Sequence, residues 1–105
     1  MQMRQYRYRV TLEQLTDSHG VPTDRKPLQF EVGNHDDIIS VVTWIRSRGD
    51  FSSQAEAAAF GVGLKLFGGA ILANKDDPLL SSFLPQLYQF VKDFKAGSSD
   101  IQGKE

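Results

Sequence analysis

The chain has 105 residues, of which 40% are hydrophobic and 24% charged, and its formal net charge is -1. The length suits one ordinary domain, the composition is that of a folded chain, and a near-neutral balance supplies no long-range field to gather nucleic acid or an anionic membrane. It has no cysteine, which excludes disulfides, thiolate nucleophiles and cysteine-based metal sites.

The opening run Met1-Gln2-Met3-Arg4-Gln5-Tyr6 lacks the apolar stretch of a signal peptide. No window reads as the roughly 18 to 20 apolar residues that span a bilayer, so neither a membrane nor an export route is expected and the location expected is cytoplasmic. The first element then alternates. Tyr6, Tyr8, Val10 and Leu12 share one face of a strand, and Arg7, Arg9, Thr11 and Glu13 the other. A polar stretch from Thr16 to Pro27, with Asp17, Gly20, Pro22 and Asp24, predicts turns. Leu28, Phe30 and Val32 alternate again, and two consecutive strands make an antiparallel hairpin.

At Asn34 the period changes. Asn34, Asp36 or Asp37 can cap a helix of residues 36 to 48, whose stripe is Ile38, Val41, Val42 and Ile45, with Arg46 and Arg48 in the last turn and Gly49 as its stop. Ser53-Gln54-Ala55-Glu56 has the form of a capping box. It opens a second helix reaching about Ala73, along which Phe60, Leu64, Phe67 and Ile71 recur at helical spacing. Asp76-Asp77-Pro78 starts a third, broken or kinked by Pro85, with its main part at residues 83 to 95 and the stripe Leu80, Phe83, Leu84, Leu87, Val91 and Phe94. Residues 96 to 105 read as a disordered tail. The expectation is a single α+β domain over 1–95, an N-terminal hairpin packed on three α-helices in two layers (ββααα).

Three clusters merit a chemical reading. His35-Asp36-Asp37 would serve as a metal or small-molecule site, but neighbours at a helix start point in different directions, and capping accounts for both aspartates. Gly61, Lys65, Gly68 and Leu72 share one face of the second helix, away from its phenylalanine stripe. No strand precedes the glycines and no Gly-Lys-Ser/Thr follows them, so a phosphate loop does not fit. Close approach of the first helix, the third helix or a second copy does, and the four residues form a possible interface. Arg4, Arg7 and Arg9 interleave with Tyr6 and Tyr8, yet strand alternation puts arginines and tyrosines on opposite faces, unlike an RNA-binding sheet. The arginines are expected to pair with Glu31 or Glu13. No serine has a nucleophile-elbow context, and no cofactor motif is present.

Phe30-Glu31-Val32-Gly33-Asn34-His35-Asp36-Asp37-Ile38, Gly63-Leu64-Lys65-Leu66-Phe67-Gly68 and Lys75-Asp76-Asp77-Pro78-Leu79 together resemble a family of small bacterial proteins catalogued as domain of unknown function 3861. The resemblance covers residues 4 to 95. It implies a bacterial, cytosolic, compact α+β protein and carries no activity. The functional expectation is a non-enzymatic protein acting through its surface, as a homodimer or an accessory subunit of another protein. A ligand or metal site at Asn34–Asp37 is the alternative, with nucleic-acid binding through Arg4, Arg7 and Arg9 behind it.

Overall fold

The computed structural model describes residues 4–103, with side chains described for residues 4–97. The class is α+β: an antiparallel two-stranded hairpin followed by helices. The chain divides into two compact units, Met1–Asp36 and Asp37–Glu105.

In the first unit β1 (Tyr6–Leu12) pairs antiparallel with β2 (Leu28–Asn34). The register sets Tyr8 opposite Val32, Val10 opposite Phe30 and Leu12 opposite Leu28. Residues directly opposite each other share a face, so the alternation read from the sequence is realised as one apolar side of the hairpin. The polar side carries Gln29 Nε2 donating to Thr11 Oγ1 at 2.8 Å. The connecting loop is ordered by its own side chains. Asp17 Oδ1 accepts from the amides of His19 (2.8 Å) and Val21 (3.0 Å), Thr16 bridges to Pro22, and Gly20 takes φ 83°, a left-handed conformation that favours glycine.

In the second unit α1 (Ile38–Arg48) is capped by Asp37, whose side chain accepts from Ser40 N, and stopped by Gly49 at φ 74°. Helix α2 (Gln54–Ala73) starts at Ser53, whose hydroxyl accepts from Glu56 N. The returning arm of the capping box lands one residue early: the Glu56 carboxylate accepts from the hydroxyl and amide of Ser52, not from Ser53 N. Asp77 caps the single turn α3 (Pro78–Ser81). Helix α4 (Leu84–Gly103) begins just before Pro85. The proline therefore sits in a first turn, where no helical carbonyl awaits its missing N–H, and the break expected around it falls at residues 82 and 83. Since α4 runs past its expected end at Lys95, the proposed tail is helical as far as Gly103, and residues 104 and 105 lie outside the described residues.

The core of this unit is Ile38, Val42, Ile45, Ala57, Ile71 and Leu87. Full burial of a side chain such as Ile45, 1% exposed, contributes roughly 2 kcal/mol. On α2 the buried residues are Ala57, Gly61, Gly68 and Ile71, while Phe67, expected on the inner stripe, is 51% exposed. The buried side thus combines the glycine face with Ile71 of the stripe, and Phe60 and Leu64 are half-buried. Contrary to the sequence expectation that no window is long and apolar enough to span a bilayer, α2 with its 20 residues is so by length and composition alone. Its alanines raise the hydropathy without forming a run of large apolar side chains.

Candidate functional site

At the chain turn 34–36, Asn34 is 5% exposed and its Oδ1 accepts from Asp36 N at 3.0 Å. The Tyr8 hydroxyl donates to the Asp36 carbonyl at 2.7 Å. His35 is exposed. Asp37, the next residue, holds the α1 amide of Ser40 at 3.1 Å. Each carboxamide or carboxylate oxygen named is directed at a backbone amide, the geometry of a turn and a cap. Among the described residues, no three His, Cys, Asp or Glu side chains come together as a metal site.

The glycine face of α2 is filled from within the chain. A Cβ at Gly61 would lie 3.1 Å from Ile45 Cδ1 and from Val42 Cγ2, and one at Gly68 would lie 3.5 Å from Leu87 Cδ2. Helix α1 approaches at Gly61 and α4 at Gly68, the close approach that the glycine spacing suggested. Lys65 and Leu72, on the same face, are half-buried.

The arginine face of the hairpin is salt-paired. Arg9 Nη2 lies 2.9 Å from Glu31 Oε2, directly across the strands, and Arg7 Nη2 lies 3.7 Å from Glu31 Oε1. Tyr6 and Tyr8 stack on the opposite face with ring centroids 6.5 Å apart. The stacking rings and the cations do not share a surface, which is what single-stranded nucleic acid requires.

Arg48 is a site that the sequence reading placed only as a cation near a helix end. Its side chain is 7% exposed and pairs with Asp50 Oδ2 at 2.8 Å. Nη1 donates to the Phe94 carbonyl of α4 at 2.8 Å, and the guanidinium lies 4.0 Å from the Phe94 ring centroid and 5.0 Å from that of Trp44. Trp44 and Phe94 meet edge to face at 5.9 Å. A planar cation stacked on aromatic rings and hydrogen-bonded in its own plane suits arginine and not lysine. This arrangement joins the end of α1 to α4. The only signal for it in the sequence is Trp44 four residues before Arg48.

The loop end of the hairpin forms an open hollow lined by Leu12, Glu13, Gln14, Arg25, Lys26 and Leu28. The cross-strand leucines are 65% and 58% exposed, and Phe30 beside them is 42% exposed. Arg25 Nη1 donates to Gln14 Oε1 at 3.1 Å. The hollow brings together large apolar side chains and charges of both signs. Alternation places Leu12 and Leu28 on the apolar face and gives no sign of the hollow.

The model of a domain of unknown function, DUF3861, matches residues 6–96, a span that runs through both units. A similar solved structure is the crystal structure of a protein of unknown function (eca1910) from Pectobacterium atrosepticum SCRI1043. It is 26% identical, has a TM-score of 0.75, and the match covers 89% of this chain and 99% of that one. No curated protein matches the chain.

Proposed function

This chain belongs to the DUF3861 family, a domain of unknown function, and from that premise we propose that it is a non-enzymatic protein-binding module that pairs with a second copy or serves as an accessory subunit. The observation that carries the reading is the apolar end of the hairpin, where Leu12, Leu28 and Phe30 stay exposed on one face and Leu15 and Val21 in the adjoining loop are 72% and 55% exposed. Contiguous apolar surface of this kind is costly to leave in water and marks interaction sites. The open edges add to it. Each strand of the two-stranded sheet has one partner among the described residues, and natural proteins cover or pair such edges.

Tagged full-length chain, expressed in its own cells and recovered under mild conditions, tests the proposal. The expected result is a defined second protein, or the chain itself untagged, in stoichiometric amount. Replacing Leu12 and Leu28 by Asp should abolish that recovery without loss of helical circular dichroism. Recovery of the chain alone as a monomer would sink the reading.

A further inference from the structure

We infer that the hairpin-end hollow is self-complementary and takes a second copy of this chain about a twofold axis; this deepens the protein-binding reading and rests on it. The hollow has an acidic residue, Glu13, and two basic ones, Arg25 and Lys26, beside the apolar Leu12 and Leu28. The ion pairs among the described residues lie elsewhere, at Arg7, Arg9 and Glu31 and at Arg48 and Asp50. The hollow's three charges thus stand beside exposed leucines with no opposite charge engaged.

A patch with one sign of charge fits a partner of the other sign. A patch with both signs flanking an apolar centre fits its own twofold image, because in an isologous contact residue i meets j and j meets i. Glu13 of one copy then faces Arg25 and Lys26 of the other, and the same pair forms again across the axis. The leucines of both copies close over each other between the two sets of charges, so water is excluded at the centre and the polar residues form the rim. The hydrogen bond from Arg25 to Gln14 holds the guanidinium at that rim, which lowers the cost of ordering it on association. The other surface considered for self-association, the glycine face of α2, is occupied by Val42, Ile45 and Leu87 of the same chain.

Sedimentation equilibrium of the full-length chain, with charge-reversed variants, tests this. Wild type should show a monomer–dimer equilibrium. Glu13→Lys, and separately the double variant Arg25→Glu with Lys26→Glu, should each weaken it by about tenfold or more, since like charges then face each other. An equimolar mixture of the two variants should restore dimer, because each then supplies what the other lacks. A wild-type chain that stays monomeric to about 1 mM, or charge-reversed variants that dimerise as well as wild type, overturns the inference. Failure of the wider reading looks different. If the chain is a monomer and a foreign protein is recovered and lost with the leucine substitutions, self-pairing is wrong and the binding module stands; if nothing is recovered and the chain is a monomer, both fall.

Discussion

Three glycines of α2 provide a ruler for how closely its neighbours approach. Replacing an interior helical glycine by alanine gains about 1 kcal/mol where the methyl group meets nothing. At Gly63 a Cβ would have no neighbour within 4 Å, so Gly63→Ala should stabilise by about 1 kcal/mol, equivalent to a rise of roughly 4 to 8 °C in Tm for a domain of this size. At Gly68 the nearest atom would be Leu87 Cδ2 at 3.5 Å, an ordinary van der Waals contact, and most of the gain should survive. At Gly61 two side-chain atoms would stand at 3.1 Å, and Val42 Cα at 3.7 Å limits how far α1 can yield. Ile45 and Val42 are 1% and 9% exposed and have little room to move. Overpacking of that kind costs about 1 to 3 kcal/mol, which offsets the propensity gain and leaves Gly61→Ala neutral or less stable by up to about 2 kcal/mol. Urea unfolding followed by far-ultraviolet circular dichroism, read at constant m-value, orders the three variants. Equal stabilisation at Gly61 and Gly63 would refute the close packing of α1 on α2.

Further expectations follow from single contacts. Arg48→Met should cost about 2 kcal/mol in urea unfolding, because it removes a largely buried charged hydrogen bond to Phe94 and leaves Asp50 unpaired; Arg48→Lys should recover little of it, as an ammonium does not stack on the Phe94 and Trp44 rings in the same way. Ser53→Ala should cost about 1 kcal/mol as a lost N-cap and Ser53→Gly only a few tenths, with the same assay as judge. Asp37→Ala should cost about 1 kcal/mol for the same reason, while His35→Ala leaves the melting temperature unchanged. Metal titration by calorimetry should give no heat that either substitution removes, and a heat lost with both would revive a ligand site at residues 34–37. Wild type should show no binding to single-stranded nucleic acid at low salt; binding that weakens with salt and is lost on replacing Arg7 and Arg9 by Gln would point to nucleic acid after all.

Local signals were legible because they are local. The caps at Ser53 and Asp77 and the stop at Gly49 need only the backbone beside them, so a short run of residues carries the message; at α1 that run leaves Asn34, Asp36 and Asp37 as alternatives, of which Asp37 is the cap, and α2 ends at Ala73 as the spacing predicts. What failed needed a neighbour. Of the α2 stripe, Phe67 is exposed while Ile71 is buried, and the rest of the buried side is where Ala57, Gly61 and Gly68 let Val42, Ile45 and Leu87 come in. Large residues on α1 and α4 supply the volume that small ones on α2 leave open; the glycine spacing announces a close approach but not which element makes it. The same holds for Arg48. A cation in a last turn is ordinary; one stacked on a ring of a helix almost fifty positions later depends on a contact with no sequence spacing.

The hairpin end extends that argument to function. Period-two alternation states that Leu12 and Leu28 lie on the side of Tyr8 and Val10, and the register agrees. It does not state how far along the strand burial continues. Tyr8 and Val10 are half-buried while Leu12 and Leu28 are exposed. The loop beyond, with Arg25 and Lys26, has no period, and Glu13 is read from alternation as a residue of the polar face. Their meaning changes only when they are found around the uncovered leucines. Charge beside water is unremarkable, and so is a leucine at a strand end. Charges of both signs that form no ion pair among the described residues stand around exposed leucines, an arrangement that a second copy would complete, and measuring self-association with the charges exchanged tests each part of it separately.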